Sequence, residues 1–184
     1  NLIGAGVGHC ITSGKGNVAI GKWAAYYTKT GEYNSYFNYA GSNREDGDYN
    51  VAIGLYALKG NATAASNTGS GNIALGQNAG CCVTSGSQNV FLGRYAGQLN
   101  TTHDGNVYIG DHAGKLNVAA NNVAIGNGAG GKLTGAADNV YIGHNTGEGL
   151  FSGTRTGSYN VALGKYALAE ITTGHKNVVL GCSA

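Results

Sequence analysis

Apolar residues recur along the chain in a five-residue phrase: an Asn, an apolar and often β-branched residue, a variable residue, Ile or Leu, and then Gly. The chain holds eleven copies of this phrase, including a degenerate copy at Asn34 and a truncated copy at the start. The spacing is nearly constant, except that the intervals from Asn50 to Asn72 and from Asn139 to Asn160 are longer. The pattern indicates an internal repeat. The other copies begin at Asn17, Asn50, Asn72, Asn89, Asn106, Asn122, Asn139, Asn160 and Asn177.

Each copy predicts a short β-strand, because its apolar positions lie two residues apart and the closing Gly suits a tight corner with positive φ. Ala-Gly pairs such as residues 79–80 and 96–97 predict a second strand in each repeat. A period of roughly 17 residues is too short for a helical repeat or a propeller blade. The expected fold is therefore all-β: one domain, residues 1–184, forming a parallel β-roll or β-solenoid of about eleven coils. At about 4.8 Å per coil, it would be a rod roughly 50 Å long.

The Asn residues of stacked coils are expected to form a ladder in which side-chain amides hydrogen-bond along the rod. The chain contains no Pro, and this agrees with the interpretation because Pro would remove a hydrogen bond between coils.

The two faces of each strand are predicted to differ in what covers them. The residues on either side of the middle position are expected to face the core, which leaves the middle position on the outer face. No charged residue occupies the middle position in any copy, so we expect other copies of the chain to cover it in a homo-oligomer. A wet apolar surface is the alternative. The residues predicted at this oligomer interface are Ala19, Tyr36, Phe91, Tyr108 and Tyr141.

Composition excludes several classes of function. The chain has 34 Gly, only 11% charged residues and a formal net charge of +2, with no basic stripe that would favour nucleic acid. No apolar run reaches the length of a membrane span, and no signal peptide opens the chain. Because the sequence begins at Asn1 and contains no Met, we expect a processed product or a segment of a longer protein.

The phrase in residues 17–21 resembles the head repeat of trimeric autotransporter adhesins, which is a left-handed parallel β-roll wound as a trimer. The longer form in residues 156–168 and 173–181 is closer to phage tail-fibre proteins that carry the same repeats. The resemblance extends over the whole chain and implies a homotrimer, joined to other fibre or stalk domains. It does not name a ligand, because a fold does not specify a target.

Candidate chemistry is sparse. The glycines of residues 126–131 match a dinucleotide-binding spacing, but no helical pattern follows them, so we predict no cofactor. The His and Cys spacings predict no metal site. The cysteines Cys10, Cys81, Cys82 and Cys182 are expected to be free, buried thiols, with an inter-chain bridge through Cys81 or Cys82 as the alternative.

We expect the protein not to be an enzyme. The opposing hypothesis is a glycan depolymerase built on a solenoid, which needs paired carboxylates across a groove. Its only dense acidic candidates are Glu45, Asp46 and Asp48.

Residues that differ between repeats are the candidates for receptor contact. Seven of the sixteen aromatic residues lie between Trp23 and Tyr39, and they could stack on a glycan or fill a widened coil. The two long intervals add lateral loops at residues 59–71 and 148–159, and insertions in repeat proteins gather on the binding face. The residues predicted to bind a receptor are Trp23, Tyr27, Phe151, Arg155 and Tyr159.

These observations predict a structural attachment rod of a tail fibre or surface adhesin. It would lie outside the cell, on a virion or a cell surface, and present contacts to a glycan or protein receptor without inserting into a membrane. The alternative is an extracellular filament that stacks end to end, since neither end of the repeat array carries a cap.

Overall fold

The computed structural model describes residues 1–148 and 156–184, and in these residues the chain forms a parallel β-solenoid of about ten turns. Each coil contributes one short strand to a single parallel sheet, in which the strands follow their order in the sequence. The predicted fold class is confirmed. The strands are β1 (Leu2–Ile3), β2 (Val18–Ile20), β3 (Ser35–Phe37), β4 (Val51–Ile53), β5 (Ile73–Leu75), β6 (Val90–Leu92), β7 (Val107–Ile109), β8 (Val123–Ile125), β9 (Val140–Ile142), β10 (Val161–Leu163) and β11 (Val178–Leu180).

Every strand pair keeps the same register. The middle residue of one strand lies opposite the middle residue of the next, as in Ala52↔Ala74 and Phe91↔Tyr108. This register survives the long interval between β4 and β5, because the extra residues leave the coil as a lateral loop. The loop contains a 3-10 helix at Ala64–Ser66.

The predicted Asn ladder is present and buried. The side-chain oxygen of Asn34 accepts the backbone N–H of Asn50 at 2.8 Å, and the oxygen of Asn89 accepts that of Asn106 at 2.9 Å. Most ladder amides also donate across the coil to a carbonyl, as Asn72 does to Gly86 at 2.9 Å. The ladder residues from Asn17 to Asn160 therefore satisfy backbone groups that burial would otherwise leave unpaired.

The second strand predicted for each repeat is wrong. The Ala-Gly segments are turns, although they hydrogen-bond from coil to coil: the N–H of Gly80 donates to Ala96 at 2.9 Å, and that of Gly97 donates to Ala113 at 2.9 Å. Gly80 and Gly97 have φ of 54° and 58°, in the left-handed region, which an extended strand does not visit. The turns therefore stack like strands without strand geometry.

The assignment of the two strand faces is also wrong. The middle residues point into the coil: Ala19, Phe91, Tyr108 and Tyr141 are fully buried, and Tyr36 is 1% exposed, within a single chain. These five residues therefore form the core of the coil and cannot form an oligomer interface. The flanking Val, Ile and Leu side chains lie on the outer face instead, half-buried or exposed.

The narrow interior explains this inversion. A coil with one strand per turn leaves room for small Ala or for a flat ring, and several of the rings lie against glycine. A Cβ added to Gly97 would come within 2.3 Å of a ring carbon of Phe91, and one added to Gly114 would come within 2.5 Å of the Tyr108 ring. Branched aliphatic side chains fit better on the open outer face.

One charged residue is buried in the interior of the described coils. The guanidinium of Arg44, which is 1% exposed, donates to the carbonyl of Val83 at 3.3 Å and also to that of Gly69. Burial lowers the pKa of Arg44, with the Tyr36 side chain nearby acting in the opposite direction. Arg44 thus ties the third coil to one main-chain carbonyl in the first lateral loop and to another in the fifth coil.

Candidate interaction surfaces

The outer face of the sheet carries two parallel columns of apolar side chains, which we call the aliphatic face. The two columns come from the first and third positions of the strands, and Ser35 is the one polar residue in the strands described above. Ile53 and Leu75 are 45% and 37% exposed. The first column is Val18, Ser35, Val51, Ile73, Val90, Val107, Val123, Val140, Val161 and Val178; the third-position column is Ile3, Ile20, Phe37, Ile53, Leu75, Leu92, Ile109, Ile125, Ile142, Leu163 and Leu180.

The aliphatic face is comparable in size to the largest apolar patch of a typical monomer. Eleven coils at about 4.8 Å give a length of roughly 50 Å, and positions two apart on a strand give columns about 7 Å apart. The largest contiguous apolar patch on a typical monomer covers about 300–600 Å² and is often functional. No charged side chain of these strands interrupts the aliphatic face, so it exposes to water a strip that is apolar except at Ser35.

Near the start of the chain, aromatic rings stack from coil to coil in what we call the aromatic patch. Its members are Trp23, Tyr26, Tyr39, Tyr56 and His9. The ring of Trp23 stacks on Tyr26 with centroids 4.9 Å apart and on Tyr39 at 5.8 Å. His9 stacks on Tyr26 at 5.0 Å, and Tyr56 meets Tyr39 edge to face at 5.0 Å.

This stacking changes what Trp23 can offer a ligand. Two near-parallel neighbours, Tyr26 and Tyr39, pack against the indole, so its ring faces are largely occupied within the chain. Sugar stacking needs an open ring face. The exposed part of Trp23, 38% of the residue, therefore offers mainly a ring edge.

Tyr27 is the more accessible of the two predicted receptor residues in this region. Its ring meets Tyr26 edge to face at 4.8 Å, and the residue is 43% exposed. Tyr27 and Trp23 line one cleft of about 170 Å³, together with Asn43 and Lys59. The Lys59 ammonium lies 4.9 Å from the centroid of the Tyr56 ring. The cleft thus combines aromatic edges, an amide and a cation.

The first lateral loop is organised around a buried amide. The side chain of Asn67 donates to the carbonyl of Asn43 at 2.7 Å, and its oxygen accepts the N–H of Asn61 at 3.0 Å. These bonds hold the loop against the third coil.

The predicted receptor residues of the second lateral loop are only partly described. Tyr159 is 59% exposed and has φ of 62°. Phe151 and Arg155 lie outside the described residues. The structure therefore brings Trp23 and Tyr27 together, whereas Tyr159 stands seven to eight coils away along the rod.

A second cleft, of about 350 Å³, was not predicted from the sequence. It opens where Gly128 occupies the position filled by Trp23, Tyr39 and Tyr56 in earlier coils. The missing side chain is the only sequence signal for it. Charged and amide groups line the cleft, among them Asp111, His112, Lys115, Lys132, Asn145 and Glu148.

Asp111 anchors one side of this second cleft. Its carboxylate accepts two hydrogen bonds from Arg94, at 2.9 and 3.1 Å, and lies 2.9 Å from Nδ1 of His112. The Arg94 guanidinium, with a smaller contribution from His112, lowers the pKa of Asp111 below its ordinary value of 3.8.

The acidic residues considered for catalysis each contact the preceding coil. Glu45 accepts Lys29 at 2.8 Å, Asp46 accepts the Thr30 hydroxyl, and Asp48 accepts the N–H of Glu32 at 2.7 Å. Through these contacts the three acidic side chains stabilise the stacking of one coil on the next. Within the described ranges, no group of three or more His, Cys, Asp or Glu side chains is placed to hold a metal ion. The same residues include no helix that is long and apolar enough to cross a membrane.

Comparison with known proteins identifies no relative. No family model matches the chain, and neither the curated proteins nor the solved structures give a significant match.

Proposed function

We propose that this chain is one subunit of a homotrimeric attachment rod that works outside the cell, on a virion tail fibre or a cell surface. The observation that supports the proposal is the aliphatic face, which runs the full length of the solenoid without a charge. Apolar patches of this size are often interaction sites, which favours a partner that covers the strip.

A second copy of the same chain is the partner with the best match. Stacked coils repeat the outer columns at one spacing, so only a surface with the same spacing stays in step over ten turns. Another copy of this chain has that spacing by construction. Parallel association around a common axis would let each coil pack against its equivalents, as closed symmetry requires.

A trimer would bring both columns of the aliphatic face into contact with neighbouring subunits. The aliphatic face has two columns of similar character, so around a threefold axis the first-position column would meet one neighbour and the third-position column the other. Val107 and Ile109 of β7, for example, would each contact a different subunit. In this arrangement the turns, the first lateral loop and both clefts stay on the outside.

Receptor contact is then assigned to the surfaces that vary between coils. The cleft beside Tyr27 offers aromatic edges with Asn43 and Lys59, a combination suited to a glycan or a polar protein epitope. Phe151, Arg155 and Tyr159 remain candidates on the second lateral loop. The proposal assigns the chain no catalytic role.

The trimer is tested by placing charge on the aliphatic face. We expect the unmodified chain to sediment as a trimer at micromolar concentration and the Val107→Lys/Ile109→Lys variant to sediment as smaller species. Ser85→Lys is the control, since Ser85 is exposed on a turn away from the sheet. Circular dichroism should show that all three proteins keep their β-structure.

Two results would count against the proposal. A stable monomer of the unmodified chain would leave the aliphatic face unexplained by self-association. Assemblies that lengthen with concentration, with no discrete trimer, would favour the end-to-end filament. Binding of the trimer to host cells, compared with a Tyr27→Ala variant, then tests the attachment role separately.

A further inference from the structure

The fifth coil carries two adjacent cysteines whose side chains contact each other. Cys81 and Cys82 follow the turn residue Gly80, and their sulfur atoms lie 3.5 Å apart. Both cysteines are free and half-buried. The separation is a close contact between two thiols, longer than the roughly 2.05 Å of a disulfide bond.

The rest of the chain offers neither sulfur another cysteine within reach. Cys10 lies four coils before the pair and Cys182 six coils after it, which at about 4.8 Å per coil is roughly 19 and 29 Å. Any disulfide formed within one chain by Cys81 or Cys82 must therefore join the two to each other.

The surroundings make the two sulfurs unequal. The pKa of Cys82 is lowered to about 7, mainly by a hydrogen bond from the Cys81 thiol and less by the nearby Lys59 ammonium, while partial burial opposes both. The same hydrogen bond raises the pKa of Cys81. Thiolate is the nucleophilic form of cysteine, and an attacking thiol works best when its pKa lies near the ambient pH.

We propose that Cys81 and Cys82 form a redox-active dithiol that reacts with low-molecular-weight disulfides and closes to a disulfide between neighbouring residues. The Cys82 thiolate attacks one sulfur of the small disulfide RSSR, forms a mixed disulfide and releases RS⁻. Cys81 then loses its proton to water and attacks the Cys82 sulfur, which releases a second RS⁻. Two cysteine thiols are oxidised by two electrons, and one RSSR is reduced to two thiols.

The product should be easy to reduce again. Neighbouring Cα atoms across a trans peptide are about 3.8 Å apart, whereas disulfides usually join Cα atoms about 4.4–6.8 Å apart. The peptide between the two cysteines is also held by adjacent coils: the carbonyl of Cys81 accepts Gly60 at 3.0 Å, and the N–H of Cys82 donates to Gln98 at 3.2 Å. Strained disulfides are the labile ones, so this pair can follow the redox state around it.

The test uses the 184-residue chain with Cys10→Ser and Cys182→Ser, which leaves only the pair. After treatment with oxidised glutathione at neutral to slightly alkaline pH, we expect an intact mass lower by two hydrogen atoms, no retained adduct and a single-chain band on a non-reducing gel. Brief treatment with dithiothreitol should restore the original mass. Adding Cys81→Ser to this background should leave one stable glutathione adduct, because Cys82 can attack but nothing can resolve it.

Several outcomes would overturn the proposal. They are an unchanged mass, one or two adducts that persist on the pair, or chains linked by a disulfide, which would point instead to an inter-chain bridge. An unreactive Cys81→Ser variant would also contradict the assignment of Cys82 as the attacking thiol. Circular dichroism of each variant identifies any loss of fold, and serine is expected to be tolerated at these half-buried positions.

Discussion

The side-chain oxygen of Asn50 accepts two hydrogen bonds from Asn72, one from its backbone N–H at 2.9 Å and one from its side-chain amide at 3.1 Å, across the first lateral loop. Asn72 bonds to Asn89 in the same way, at 3.1 and 3.0 Å. The ladder therefore continues unchanged past the inserted residues. Its bonds are buried, so each one removed leaves a polar group without water to replace it.

Replacing a ladder residue in the middle of the rod should be costly. In Asn72→Ala, the buried backbone N–H of Asn89 loses its acceptor, and an unsatisfied buried group costs roughly 1–3 kcal/mol. The matched control is Asn177→Ala in the last coil, where the side chain is half-exposed and water can compensate. Urea unfolding should show a clear decrease in the free energy of unfolding for Asn72→Ala and a smaller decrease for Asn177→Ala. Equal losses would contradict the role given to burial.

The core rings and the turn glycines should be energetically coupled. Phe91→Ala empties a buried site and should cost roughly 3–5 kcal/mol. Gly97→Ala places a Cβ against that ring at a residue with φ of 58°, which adds overpacking of about 1–3 kcal/mol. In the double variant the new methyl group enters the vacated space. In denaturant unfolding, the double variant should therefore lose less free energy of unfolding than the two single variants together, by roughly 0.5–3 kcal/mol. Strictly additive losses would argue against the contact.

Asp111 should contribute a stability that disappears in acid. Its pKa in the folded protein is lowered, mainly by Arg94, so folding is favoured when the carboxylate is ionised. The advantage over Asp111→Asn should be complete above the ordinary pKa of 3.8 and be lost as the pH falls through the lower folded value. Thermal unfolding across the acid range, at low and high salt, measures this. Because the Arg94–Asp111 ion pair is exposed, added salt should reduce the stability difference between the unmodified protein and Asp111→Asn. A stability difference that grows as the pH falls would contradict this prediction.

Trp23 is the only tryptophan in the chain, so its fluorescence reports on the aromatic patch. Tyr26→Ala should uncover one face of the indole and shift its emission to longer wavelength. Tyr33→Ala is the control, since that ring stacks on Tyr49 at 5.4 Å. If neither variant changes the emission, Trp23 does not have the covered faces described above.

Lys59 should control how fast the cysteine pair reacts. Removing its positive charge by Lys59→Gln raises the pKa of Cys82, so less thiolate is present at neutral pH. Lys115→Gln is a close control, because Lys115 lies over the Tyr95 ring at 5.2 Å much as Lys59 lies over Tyr56. The rate of alkylation by iodoacetamide, followed against pH, should move to higher pH for Lys59→Gln alone.

The sequence was sufficient to predict the strand in each repeat phrase and the Asn ladder, but not the turns that replace the expected second strand. Asn, apolar residue and Gly recur in a fixed order, and each strand lies within its phrase, as Val107–Ile109 does after Asn106. The direction of the strand faces could not be taken from that order, because both faces of β7 are apolar: Val107 and Ile109 on one, Tyr108 on the other. The useful cue was volume, since Ala and flat rings fit a narrow interior better than branched chains do.

Backbone conformation limited the prediction of the candidate sites. Trp23, Tyr39 and Tyr56 have φ between 62° and 64°, a region that bulky residues rarely adopt. No local preference predicts this conformation; the coils above and below impose it through bonds such as Trp23 N–H to Ala5 at 3.0 Å. The stacking that covers the indole faces follows from that geometry, so it could not be anticipated from composition.

The hydrogen bonds between coils run along the axis of the rod, and this has a mechanical consequence. Tension applied at the two ends would load them one coil at a time, because in the sheet each strand pairs only with the strands of the neighbouring coils. Each rupture would release about 17 residues, or roughly 60 Å of extended chain. Under tension, the solenoid would unfold and lengthen in steps, and each step would dissipate mechanical energy before the last coil unfolded.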